Sequence, residues 1–411
     1  MYKITIEERV LHFKQPAGTS RGVYTERRIW LVRVFDGSAV GVGECAPLPQ
    51  LSCDDLPNYG EVLRRFCDDV ERTGEIPYEA LRDYPSMLFG LETAVMALRC
   101  EDGTSYEVRG TRCENTLEDT NHDDRATGHG VQGNLAPRTS HLAARKDVHR
   151  DMQPILFDTP FSRGEAGIPI NGLVWMGTFE EMSRRIEQKL EHGFRCIKLK
   201  IGAIDFDAEV TLLKRIRERF GPREVELRVD ANGAFPYDEA LYKLELLSQY
   251  ALHSIEQPIR AGQWANMAEL CRDAPLPIAL DEELIGINDP DQKRQMLNII
   301  RPAYIVLKPS LHGGMAGTRE WVNIARDMGI GSWITSALES NVGLNAVAQL
   351  CSSIYGSANP SPLGYAACSP KGSQEGGEMM PQGLGTGQLF TDNIPMPLEI
   401  RGDQLWMSKR S

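Results

Sequence analysis

Five ionisable residues recur through the second half of the chain at an almost constant interval: Lys200, Asp230, Glu256, Asp281 and Lys308, with steps of 30, 26, 25 and 27 residues. That interval is one strand, one helix and two loops. Each of the five closes a short apolar run, as in Cys196-Ile197-Lys198-Leu199-Lys200 or Tyr304-Ile305-Val306-Leu307-Lys308, so each reads as a strand-end residue. When strand–helix units follow one another into a barrel, the carboxyl ends of all the strands meet on one face, and residues far apart in sequence converge there. Any one acid in such a place is commonly the cap of the next helix. Lys198 and Lys200, two apart, would by themselves mark a solvated strand face. Five such residues on five consecutive units are more than capping supplies.

Charge dictates the chemistry of that convergence. Three carboxylates within a few ångströms repel one another and must bind protons unless a cation shares them, and oxygen-only ligation suits a hard divalent ion. Mg²⁺ is the expected ion, with Mn²⁺ able to substitute. A lysine on either side makes the pocket two-faced, and a lysine beside a cation can serve as a base near neutrality.

Lys198-Leu199-Lys200, Asp230-Ala231-Asn232, Glu256-Gln257-Pro258, Asp281-Glu282 and Lys308-Pro309 together resemble the active-site series of the enolase superfamily, in its muconate-lactonising branch. Within that branch, Phe13 to Gly22 and Ser336 to Asn341 are most similar to the o-succinylbenzoate synthases of menaquinone (vitamin K2) synthesis. The resemblance implies an α/β fold, a modified TIM barrel of (β/α)7β type with an N-terminal α+β capping domain that the C-terminal segment completes. It implies a Mg²⁺-dependent syn dehydration of 2-succinyl-6-hydroxy-2,4-cyclohexadiene-1-carboxylate to o-succinylbenzoate. Asp230, Glu256 and Asp281 would hold the ion and Lys200 would be the base. Lys308 would be a fixed cation, and Lys198 would disfavour a second ammonium at Lys200 by like-charge proximity. Asn232 would contact substrate or support the site. Arg21 would meet a second substrate carboxylate, or is a solvated hairpin arginine. Ser336, Ser340 and Asn341 would receive a carboxylate or carbonyl, or cap the following helix.

Other members of the superfamily could use the same lysine pair: an N-acylamino acid racemase, a dipeptide epimerase or a muconate-type cycloisomerase. Dipeptide epimerases carry an Asp-x-Asp motif near the last strand, and Gly383 to Gly387 has none. A Schiff-base aldolase built on Lys308 would leave the three acids unexplained. A non-catalytic relative would be expected to have lost a ligand or a lysine.

Residues 1–100 differ in pattern from the strand–helix units of the second half. Ile29 to Val34 and Val40 to Glu44 alternate around Asp36-Gly37, a hairpin signal, and Ser86 to Arg99 carries a helical apolar stripe. Pro16 to Gly22 reads as a loop suited to a lid over the barrel mouth. Residues 151–391 read as the barrel, opening near Ile168 to Asn171. A capping box at Thr178 and Glu181 opens its first helix, strand seven falls at Gly331 to Ser336 and the eighth at Gly383 to Gly387. Met396 to Trp406, within the segment from about 392 to 411, is expected to pair with the N-terminal module. Residues 101–150 and about 356–380 are polar stretches read as insertions. The first holds His122, His129, His141 and His149, whose spacing matches no metal-ligand template.

A net charge of −12 argues against nucleic acid or an anionic membrane as partner and leaves a small carboxylate substrate. Nine scattered cysteines and an N-terminus without an apolar leader point to reduced thiols in the cytoplasm. No apolar run reaches the ~18 residues of a membrane span.

Overall fold

The computed structural model describes residues 2–19, 22–101, 155–356 and 379–408. Arg21, His122, His129, His141, His149 and most of both polar stretches lie outside the described residues.

In chain order the elements are β1 (Lys3–Thr19), β2 (Gly22–Phe35), β3 (Val40–Cys45), α1 (Tyr59–Thr73), α2 (Pro85–Glu101), β4 (Ile168–Pro169), β5 (Gly172–Val174) and α3 (Phe179–Glu191). They continue as β6 (Cys196–Lys200), α4 (Phe206–Arg219), β7 (Glu226–Asp230), α5 (Tyr237–Ser248), β8 (Ser254–Glu256), α6 (Trp264–Asp273) and β9 (Ile278–Leu280). The last are α7 (Pro290–Ile300), β10 (Tyr304–Leu307), α8 (Gly314–Asp327), β11 (Gly331–Ile334), α9 (Asn341–Tyr355), β12 (Leu398–Arg401) and β13 (Gln404–Met407).

β5 to β11 form one parallel sheet in sequential order, each strand joined to the next by a helix. Its strands are short and almost wholly buried, the reason they read as unbroken apolar runs rather than alternating ones. Local chemistry starts the helices on cue. Thr178 and Glu181 exchange the two bonds of a capping box at α3, and the Asp205 and Asp289 side chains cap α4 and α7, the latter with Pro290 at the first helical position. Beyond β11, Thr335 bridges Gly383 in parallel, and Ile170 bridges Gln382 in the same sense. The pairing residues are therefore Gln382 and Gly383, and the glycines after them form a turn rather than the rest of the expected strand.

The N-terminal module is an antiparallel sheet, β1-β2-β3, packed on α1 and α2. It departs from expectation in its loop and in its partner. Of the expected loop from Pro16 to Gly22, the described residues are not free: β1 runs to Thr19 and pairs Ala17 with Tyr24 and Gly18 with Val23, after a register shift between His12 and Ala17. The shift leaves Pro16 in a bulge, where its missing N–H is not needed by the ladder. The C-terminal hairpin, β12 and β13, pairs with β4 at the entry to the parallel sheet and not with the N-terminal module. It is residues 389 to 392 that reach β1, through a Phe13–Phe390 bridge and bonds from Lys14 N to Leu389 O and Thr391 N to His12 O. Alternation records which face of a strand is buried, not which strand it meets.

A hydrophobic cluster joins the two parts: Leu11, Ile29, Leu31 and Val42 of the N-terminal sheet pack with Leu311, Ala337, Leu338 and Val342. Among the described residues no helix is long and apolar enough to cross a membrane.

Candidate active site

Register places the charged residues. Lys200 stands opposite Asp230, and Asp230 opposite Glu256, across three parallel strands. Asp281 and Lys308 each follow by one residue the end of β9 and β10, and Lys198 lies two residues before Lys200 on the same strand face. All six therefore meet at the carboxyl end of the sheet. The three acids are at most 1% exposed.

Their contacts are dense. Lys200 Nζ donates to Asp230 Oδ2 at 2.9 Å and to Asn232 Oδ1 at 2.7 Å. Lys198 Nζ lies 3.0 Å from the same Asp230 oxygen and donates to Glu256 Oε2. Lys308 Nζ straddles both oxygens of Asp281 at 2.6 and 2.5 Å. Burial alone would discharge Lys198, Lys308, Asp230 and Asp281, and their mutual attraction prevents it. Lys198 is pushed up because Asp230, Glu256 and Asp281 outweigh its desolvation, and Lys308 likewise by Asp281. Asp230 is held well below the usual carboxylate range, its burial outweighed by Lys198 and Lys200, and Asp281 is lowered chiefly by Lys308. Glu256 goes the other way. Desolvation, with Asp230 and Asp281 nearby, raises it to about 7 although Lys198 pulls against the rise.

The donor set fits a divalent cation. One oxygen from each of Asp230, Glu256 and Asp281 lies within 4.8 Å of the others, and Glu256 Oε1 is buried with no hydrogen-bond partner among the described residues. A hard cation seated among the three would take up that orphan oxygen and relieve the crowding of like charge. The carboxylates are in turn held by neighbours. Asn232 N donates to Asp230 Oδ1 at 3.0 Å, and the Gln257 amide oxygen accepts from Asp281 N and Glu283 N at 3.2 Å each. Asn232 and Gln257 have positive φ, 46° and 38°, at tight turns just beyond the strand ends.

A cavity opens over Lys198, Lys200 and Lys308, walled by Trp175, Thr335, Ser336 and Leu338 and roofed by Tyr24, Leu48 and Leu51 of the N-terminal module. The Trp175 ring centre is 5.8 Å from Lys200 Nζ. Asn232 and Ser336 line this cavity; Ser340 and Asn341 do not. Ser340 caps α9, its Oγ accepting from Val342 N, and is itself bound by Glu44 of β3. Asn341 N donates to Asn393 Oδ1 at 2.8 Å. The Ser336 hydroxyl donates to Glu339 at 2.6 Å and accepts from Leu338 N at 3.0 Å, so one oxygen lone pair, not its proton, is left for a ligand. Gln257, Trp175 and the roof residues escape sequence reasoning. Gln257 alone carried a signal, as the neighbour of a strand-end acid.

The chain matches two family models: Enolase C-terminal domain-like over residues 181–386, and MenC, N-terminal domain over residues 2–98. It is 42% identical over 400 residues to the o-succinylbenzoate synthase of Desulfotalea psychrophila (strain LSv54 / DSM 12343), covering 97% of each chain. The crystal structure of MenC from that strain shares the fold with a TM-score of 0.69 and 36% identity, over 98% of this chain and 99% of that one. The N-succinylamino acid racemase of Thermus thermophilus is 35% identical over 164 residues, 40% of this chain and 42% of its own. The L-Ala-D/L-Glu epimerase of Bacillus subtilis reaches the same TM-score of 0.69 at 17% identity, a likeness of fold alone.

Proposed function

The chain belongs to the enolase C-terminal domain-like family, and we propose on that footing that it is an o-succinylbenzoate synthase of menaquinone synthesis, a hydro-lyase acting on 2-succinyl-6-hydroxy-2,4-cyclohexadiene-1-carboxylate. The observation that carries the reading is a lysine on each side of a buried three-carboxylate site, in a chain that resembles such a synthase from end to end. In the same reading the Gln382 and Gly383 bridges close the sheet into a (β/α)7β barrel, residues 1–100 cap it, and the ion is Mg²⁺. The free thiols of Cys45, Cys67, Cys196 and Cys351 support a reducing compartment, the cytoplasm.

Bound among Asp230, Glu256 and Asp281, a divalent cation would supply Lewis-acid stabilisation of negative charge on the substrate carboxylate. The chain's own groups do the rest. Lys200 takes the proton alpha to that carboxylate, and the electron pair of the broken C–H bond flows into the carboxylate. As the pair returns to form the ring double bond, the C–O bond to the hydroxyl breaks. Lys200 Nζ, on the same face, hands its proton to the departing oxygen, which leaves as water, and the ring becomes aromatic. Lys308 holds a fixed positive charge against the intermediate from the other side. The N-terminal module roofs the pocket and excludes water.

Two assays on the purified protein test this: dehydration of the cyclohexadiene substrate, and alpha-proton exchange of N-succinyl amino acids. Efficient dehydration is expected. Racemisation without dehydration would overturn the reading.

A further inference from the structure

The wall of the pocket is held in place from the other module by a guanidinium that does not itself line the cavity. Arg27, on β2, is 1% exposed, and among the described residues every hydrogen bond of its side chain ends on a backbone carbonyl. Two of those carbonyls, Ala46 at 2.6 Å and Pro47, follow β3 in the N-terminal module. The other two, Leu338 at 3.2 Å and Ala337 at 3.4 Å, belong to the segment after β11 that walls the cavity. Leu338 has φ 66°, a left-handed conformation that a leucine adopts only when its surroundings impose it. The remaining bonds of the segment are made within the barrel. Ala337 N donates to Glu339 at 2.7 Å, and Leu338 N to Ser336 Oγ at 3.0 Å. Among the described residues, no group other than Arg27 is seen to hold the two carbonyls. Burial works against its charge, and the nearby carboxylates of Glu339 and Glu44 favour it without bonding to it.

We infer that Arg27 is a positioning residue for the dehydration: its fork of carbonyl bonds fixes the Ala337–Leu338 wall, including the strained Leu338, and so sets the pocket's shape from the opposite module. A planar guanidinium can serve four carbonyls on two sides at once, whereas an ammonium presents its donors from a single point. The functional half of this inference rests on the synthase reading; the structural half does not, and the experiment separates them.

In Arg27→Lys, hydrogen exchange at the Ala337 and Leu338 amides should accelerate by about tenfold or more, while α4 to α6 exchange as before. KM for the cyclohexadiene substrate should rise about tenfold with kcat changed by less than about threefold, because the lysines and carboxylates of the site are untouched. Leu338→Gly, which adopts positive φ without strain, should in the double variant with Arg27→Lys restore slower exchange at Ala337. If Arg27→Lys is insoluble, the double variant should recover soluble protein; its failure to do so counts against the inference. Unchanged exchange in a folded Arg27→Lys, or faster exchange spread evenly over the chain, overturns it. If the wild type does not dehydrate, the synthase reading fails while the exchange result still decides what Arg27 does.

Discussion

Glu256 shares one carboxylate oxygen with Lys198 and, among the described residues, buries the other without a hydrogen-bond partner, which leaves that oxygen open to an arriving cation. Glu256→Gln should weaken Mg²⁺ binding by about 100-fold, because an amide oxygen brings no charge to a hard ion; titration calorimetry measures it, and undiminished affinity would remove Glu256 from the ligand set. Lys200→Ala should cut dehydration by roughly 10²–10⁴-fold, the usual worth of a general base. Lys308→Arg should retain part of it, since arginine keeps the charge but cannot accept a proton. A racemase needs a base on both faces, so loss of N-succinyl amino acid exchange with dehydration retained would set Lys308 apart as a cation. These residues were legible in the sequence because a strand, a helix and two loops give them a period. Glu44 and Arg27 were not. Their partners lie up to 311 residues away, and nothing in local spacing announces them.

Among the elements, the helices of the parallel sheet were legible through their caps, and Thr178→Ala should cost about 1 kcal/mol in a urea-unfolding measurement, with activity per folded molecule unchanged. The start of α8 was not legible, because its cap comes from elsewhere. Glu92 of α2, fully buried, accepts from Met315 N at 2.5 Å and Ala316 N at 3.1 Å. Burial raises its carboxyl from an ordinary 4.5 to about 8, although both amides pull it down. A carboxyl raised in the folded state binds its proton more tightly there than in the unfolded chain, so its stabilising contribution is complete below about pH 4.5 and disappears as pH rises through about 8. Urea midpoints at pH 5 to 8 should therefore fall more steeply for the wild type than for Glu92→Gln, which carries no such proton. Parallel slopes would show that Glu92 does not titrate in this range.

At the scale of the molecule, the bound ion should act as a fastener. A ligand of the folded state alone stabilises by about 2.7 kcal/mol at one hundred times its dissociation constant, so excess chelator should lower the melting temperature as well as end the activity. A chelated protein that melts as the wild type does would mean that the three carboxylates hold no ion. The division into an antiparallel module and a run of strand–helix units was legible from the change of period along the chain. Where the C-terminal hairpin docks was not, because β4, its partner, is two residues long and has no pattern of its own. The two glutamates that cap α8 and α9 bind amides 224 and 296 residues downstream of themselves. On a ribosome adding about 5–20 residues per second, the N-terminal module therefore waits on the order of tens of seconds for the helices it completes, with two carboxylates still in water that the finished protein buries. Its docking face is a surface in need of shielding during synthesis, and the last third of the chain decides when folding can end.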